Sequence, residues 1–280
     1  MALPHYSFND LVQSLEGRRR LGEDPPVLLL GSGSSAAAGV ATMSRLYEAE
    51  GIDPTKGEEA FGLFCERMDR RDDRERFRWL AGLLQTADPD AVTPGYRALA
   101  RLCAEHVFDI VLSANLDPLL EDAFSATALK RRDVLILVNG VLRPDRLPTL
   151  LLPGVPRVKL LKIHGDLFHR AMAWTPTEMQ DYLKAITPTL SAALNGRDVL
   201  VVGYSMRDPA VRDLALATGG TVWFAGPDAP PAEVAALLEP RQVRLVLGPR
   251  CQFEAFFTQL AQSLGVDAAA PQAPAAAAAP

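Results

Sequence analysis

The sequence predicts an α/β fold, a parallel sheet with helices on both faces, and three observations predict it. Short apolar runs that end in glycine or a polar turn recur along the chain, as in PVLLLG at 26–31 and DVLVVG at 198–203, and unbroken runs of this kind suit strands buried on both faces. Stretches with helical spacing separate them, and strands that alternate with helices pair in parallel through right-handed crossovers. With 280 residues and 48% hydrophobic content, the chain also has the material for one large core.

The amino terminus reads as a polar amphipathic helix. The first strand, 26–31, then feeds small helix-compatible residues and makes the first βα unit. Charge dominates from Lys56 to Gln85, yet Phe61, Phe64, Met68, Phe77, Leu80 and Leu84 recur at near-helical spacing. That pattern predicts a helical insertion outside the sheet, about residues 50–95. A helical pattern from Gly95 to His106 leads into FDIVLSANLD, with a buried strand from Phe108 to Leu112 and a loop at its end. DVLILV at 133–138 and VKLLKIHG at 158–165 follow, the first trailed by proline-rich sequence. Helical sequence from Thr177 to Leu194 precedes a strand at Val199–Val202. TVWFAGP at 221–227 and VRLVLG at 243–248 add two strands around a helical AEVAALLE, and FEAFFTQLAQSLG closes the domain. The alternation implies a Rossmann-like sheet, with residues 1–265 as one domain. Residues 266–280, rich in Ala and Pro without a polar face or period, read as a disordered linker or tail leading to a further module or partner.

A net charge of −5 and a pI near 5.5 argue against a chain that holds nucleic acid or an anionic membrane surface by its own field. The three cysteines, Cys65, Cys103 and Cys251, lie too far apart for paired CxxC ligands and are odd in number, so neither a disulfide framework nor a metal site is expected. No apolar run approaches the roughly 20 residues that span a bilayer, and no signal-peptide core opens the chain; the expected location is the cytoplasm.

The chemistry lies at strand ends, where open α/β sheets bind their ligands. Gly31, Gly33 and Gly39 in GSGSSAAAGV follow a strand, where glycines let backbone approach a diphosphate, and Ser34 and Ser35 add hydroxyls. The spacing departs from GxGxxG, because Ala36 holds the third position; a tight turn without ligand is the alternative. Asn115 and Asp117 in SANLD follow the second strand. The amide of Asn115 offers donors and an acceptor for a sugar hydroxyl or a water, while Asp117 either joins that site or caps the next helix. Of four histidines only His164, in KIHGD, sits at a strand end before a glycine. Gly203, Tyr204, Ser205 and Asp208 in VVGYSMRDP form a further loop suited to phosphate or ribose, with Asp208 also placed to start a helix. Ala225 and Gly226 end another strand as a simple turn or the lining of an adenosine pocket.

Taken in order, these loops resemble the sirtuin-like (SIR2) family over most of residues 27–265. GSGSSAAAGVAT is similar to its GAGxSxxxGIPT loop, SANLD to its TNYD or QNID, KIHGD to its HG motif and GYSMRD to its GYSLxD. The resemblance implies that Gly31, Gly33 and Ser35 contact a diphosphate, that Asn115 and His164 are the catalytic pair beside the nicotinamide ribose, that Asp117 supports nicotinamide or ribose, and that Gly203 and Ser205 hold the adenosine side. Ala114, Leu116, Ala41 and Asp166 depart from the pattern, which bears on nicotinamide recognition and leaves the reacting groups in place. Deacylating members carry a zinc ribbon and DFRG after the glycine loop, and neither is present. What remains resembles the zinc-free bacterial branch, whose members typically cleave NAD and are joined to sensor modules in antiphage defence.

The expected activity is therefore that of an NAD glycohydrolase releasing nicotinamide and ADP-ribose, without a metal, in a homo-oligomer or with a sensor partner. Two alternatives stand beside it: a non-catalytic module that binds NAD or ADP-ribose, and a zinc-free deacylase or ADP-ribosyltransferase. A dehydrogenase ranks last, because the glycine spacing is wrong and no acidic residue ends the second strand.

Overall fold

The computed structural model describes residues 3–84, 92–152, 154–173, 175–241 and 243–266. Its strands are β1 (Val27–Leu30), β2 (Ile110–Ser113), β3 (Val134–Val138), β4 (Val158–Lys162), β5 (Gly165–Asp166), β6 (Ala171–Met172), β7 (Val199–Val202), β8 (Val222–Gly226) and β9 (Val243–Leu247). Seven of them form one parallel sheet in the order β3-β4-β2-β1-β7-β8-β9, while β5 and β6 pair as a short antiparallel hairpin. The chain starts at the centre of the sheet, builds outward on one side to β3, then returns to lay β7 against β1 and builds the other side. The switch between β1 and β7 opens a crevice at the carboxyl ends of the strands. In register, Leu30 lies beside Ser113 on one side and Val202 on the other, so the loops after β1, β2 and β7 leave the sheet at one level.

The apolar runs are continuous because both faces are covered. Alternate residues point to opposite sides: Leu28, Leu30, Val111, Leu200 and Val202 join one core with helices Phe8–Leu21, Pro94–Ala104, Leu119–Ser125 and Phe253–Ser263. Val27, Leu29, Leu112, Val199 and Val201 join the other with helices Pro176–Leu194, Pro209–Leu216 and Ala232–Leu238. At the edges burial relaxes, and Ile136 on β3 is exposed.

Boundaries differ from the sequence expectation in three places, each with a local reason. The second strand begins at Ile110, because Phe108 packs in the core and Asp109 turns its carboxylate to Arg197. The run at 158–165 stops pairing at Lys162, since Gly165, at φ 90°, turns the chain into the β5–β6 hairpin. Within the expected insertion the described residues form helices Glu58–Asp69 and Asp73–Leu84, beside the helix Met43–Ala49 that precedes it, while residues 85–91 lie outside the described residues. The insertion's expected last residues, 92–95, belong instead to the start of the Pro94–Ala104 helix, where the Thr93 side chain accepts the Tyr96 N–H. The insertion holds a small core of its own, in which Tyr47, Phe64, Met68 and Leu80 meet Leu116 from the loop after β2. Val266 is buried in the main core, and the Ala/Pro-rich residues beyond it lie outside the described residues. No described helix is long and apolar enough to cross a membrane.

Candidate functional site

The loops after β1 and β7 interlock, and this explains their glycines. The Gly33 N–H donates to the Gly203 carbonyl at 2.9 Å. A Cβ on Gly31 would meet the Tyr204 ring at 2.4 Å, one on Gly33 the Gly203 carbonyl at 2.8 Å, and one on Gly203, at φ 66°, the Ser34 nitrogen at 2.6 Å. The close approach that the sequence suggested for a ligand is thus, in part, the approach of one loop to the other. Gly39 is required for a different reason: at φ 80° it ends the turn Ala36–Ala38 with open space around its Cα.

Beneath this crossing lies a buried polar network. The Asn115 Nδ2 donates to Ser34 Oγ at 2.7 Å and to Ser35 Oγ at 3.1 Å. Ser34 Oγ donates to the Gly31 carbonyl at 2.7 Å and Ser35 Oγ to Asp117 Oδ2 at 2.8 Å. The Tyr96 hydroxyl sits between the two serines, 3.0 and 2.8 Å away. With both serine protons committed, the serines offer Asn115 only lone pairs, which sets its NH2 toward the serines. Its Oδ1 is buried without a hydrogen-bond partner among the described residues, in a side chain that lines a cavity. The site therefore holds an unused acceptor in fixed orientation. Burial raises the Asp117 carboxyl above its usual range, against the pull of the Ser35 hydroxyl and the Lys162 charge. Asp117 also accepts the Leu119 N–H at 3.2 Å, so it both lines the cavity and starts the next helix.

His164 and Asp208 approach from two other strand ends, with His164 Nε2 3.0 Å from Asp208 Oδ2. The other oxygen of Asp208 accepts the Ala210 N–H at 2.9 Å and caps the Pro209–Leu216 helix. Asp208 thus starts the helix as the sequence suggested and also holds His164. At the end of β4, Lys162 is 1% exposed and ion-paired to Glu121 at 2.8 Å and to Asp166. It also donates to the Asp117 carbonyl at 2.8 Å, which fastens the loop carrying Asn115. Burial pulls the Lys162 ammonium down, yet Glu121 and Asp166 together hold it above its usual value.

These loops surround a cavity of about 630 Å³. Of the residues expected from sequence, Gly33, Asn115, Asp117, His164, Gly203, Tyr204, Ser205 and Asp208 line it. Gly31, Ser34, Ser35 and Gly39 are not among its lining residues; Ser34 and Ser35 are fully buried in the network below, so Ser35 supports the floor of the cavity. After β8 it is Pro227 and Asp228, rather than Ala225 and Gly226, that reach the wall. Three further contributors went unnoticed in the sequence: Tyr96 under the floor, Arg207 on the wall, and an apolar side made by Tyr47, Phe61 and Phe64 of the insertion. Arg207 stood within the quoted motif GYSMRD, whereas nothing in the pattern PGYRALARL separates Tyr96 from an ordinary core tyrosine. Among the described residues, no group of three or more His, Cys, Asp or Glu side chains is placed to hold a metal.

Residues 109–237 match the family model of the SIR2-like domain. Two solved structures align over nearly the whole chain. One, described as "Structural Basis for the Mechanism and Regulation of Sir2 Enzymes", has a TM-score of 0.51 at 15% identity, covering 92% of this chain and 98% of that one. The other, "Sir2 bound to acetylated peptide", has a TM-score of 0.50 at 12% identity, covering 94% and 100%. No curated protein matches the sequence.

Proposed function

We propose that the chain, whose residues 109–237 match the family model of the SIR2-like domain and whose fold is like that of solved Sir2 structures, is an NAD glycohydrolase, cleaving NAD to nicotinamide and ADP-ribose. The observation that carries this reading is that Asn115 and His164 line one cavity, with the Asn115 carbonyl oxygen fixed and unpartnered. A cavity of about 630 Å³ lies in the usual range for ligand pockets, and its site at the β1/β7 switch is where open α/β sheets take dinucleotides.

Cleavage passes through an oxocarbenium-like sugar, so the site must hold the ribose and admit one water. The Asn115 Oδ1 accepts a hydrogen bond from that water or from a ribose hydroxyl. With Nε2 engaged by Asp208, His164 keeps Nδ1 as the nitrogen that takes a proton. The water oxygen bonds to the sugar C1′, and the C1′–N bond pair moves onto the pyridinium nitrogen, so that nicotinamide leaves neutral. The water proton passes to His164 and then to solvent. General-base assistance of this kind contributes about 10²–10⁴ in rate.

Incubation with NAD should release nicotinamide and ADP-ribose in equal amounts, and Asn115→Ala and His164→Ala should each lower the rate by about 10²-fold or more. Full activity in both variants would overturn the reading. The resemblance to the zinc-free branch extends it to an effector that depletes NAD in antiviral defence, for which the readout is cellular NAD after infection, with and without Asn115→Ala.

A further inference from the structure

We propose that Arg207 is the residue through which the cavity reads the diphosphate of its ligand; the inference rests on the NAD reading above and adds the group that selects phosphate-bearing ligands over bare nucleosides. Among the described residues lining the cavity, Arg207 alone carries a permanent positive charge. Its Nε is buried and has no hydrogen-bond partner among the described residues. A guanidinium donor left so is costly, and a ligand oxygen is the partner that completes it.

Of the three carboxylates that line the cavity, Asp208 is taken by His164 and the Ala210 N–H, Asp117 by Ser35 and the Leu119 N–H, and none of them, Asp228 included, is ion-paired to Arg207 among the described residues. The backbone delivers the side chain firmly: Met206, one residue earlier, is fully buried at φ 57°, a conformation that a non-glycine residue keeps only where its surroundings impose it. On the adjoining loop the glycine crossing brings the turn after β1 to the same cavity through Ser32 and Gly33. A planar guanidinium matches two phosphate oxygens at once, which an ammonium cannot do. The Tyr204 hydroxyl on the same loop is likewise buried without a hydrogen-bond partner among the described residues, and its side chain lines the same cavity.

Titration calorimetry of the whole chain with ADP-ribose, adenosine and NADP tests this. Arg207→Gln should weaken ADP-ribose by about 10–100-fold and leave adenosine unchanged, Arg207→Lys should recover only part of the loss, and the wild-type affinity for ADP-ribose should fall with salt more steeply than that of the variant. Unchanged ADP-ribose affinity in a folded Arg207→Gln protein would overturn the assignment, as would a loss confined to NADP, which would place the guanidinium on a 2′-phosphate. Wild-type protein that binds none of the three would sink the NAD reading itself, a result distinct from either.

Discussion

At the scale of single residues, the orientation of Asn115 is decided by groups outside the cavity lining. Two serines and, at 3.4 Å, the Tyr96 hydroxyl accept from its Nδ2, and only its carbonyl oxygen is left. Removing the Tyr96 hydroxyl breaks the ring that holds both serines. Tyr96→Phe should therefore reduce kcat by about 5-fold with a smaller effect on KM, since about 1 kcal/mol of orientation is lost while the cavity wall is untouched; steady-state kinetics read the split. An unchanged kcat would mean that Asn115 holds its orientation without the tyrosine. Asn115 and His164 were legible because polar residues directly after buried strands have few structural reasons to be there. Tyr96 was not, because a tyrosine on an apolar helix face gives no sign of where its hydroxyl points. The serines were legible as members of a loop and misleading as ligands, since their side chains turn into the protein.

At the scale of elements, the end of β4 ties the site to the sheet through one buried ammonium. Lys162→Met leaves Asp166 and Glu121 without their cation and should cost about 3–5 kcal/mol, measured by urea unfolding. The pH dependence follows from the shifts. Asp166 is held below 3.8 by Lys162 and His169 despite its burial, so its contribution is present above that value and lost as pH falls through its folded pKa. Lys162 is held above 10.5, so its contribution is full below that value and lost as pH rises beyond it. Burial raises Glu121, which acts in the opposite sense and lowers stability as pH rises through 4.5. Wild type should show a stability plateau between the acid and alkaline limits, whereas Lys162→Met, with burial left to raise both carboxyls, should lose stability as pH rises from the acid side; equal profiles would contradict the role assigned to the lysine. The helical insertion is the other element with a consequence. Phe64 stacks edge-on with Tyr47 at 5.5 Å and lines the cavity. Phe64→Ala should raise the KM for NAD and destabilise the insertion by about 3–5 kcal/mol; a KM equal to that of wild type would remove the insertion from the binding surface. The insertion itself was legible from spacing, but its packing over the cavity was not, since periodicity shows that a helix has an apolar face and not what that face covers.

At the scale of the molecule, the candidate site follows from strand order. The sequence alternation was enough for a parallel sheet because strands covered on both faces carry unbroken apolar runs, as in VLLL and VLVV. It did not determine that β4 lies between β2 and β3 or that β7 returns beside β1, and it is this return that sets Gly33 against Gly203 and brings the four loops to one crevice. In the proposed reaction an amide oxygen and an imidazole from separate strand ends face the same sugar. A crystal structure of the chain with ADP-ribose measures it directly. The terminal ribose should lie within about 3 Å of Asn115 Oδ1, beside His164, with the diphosphate near Arg207. A ribose bound outside this cavity, or turned away from Asn115 and His164, would contradict it.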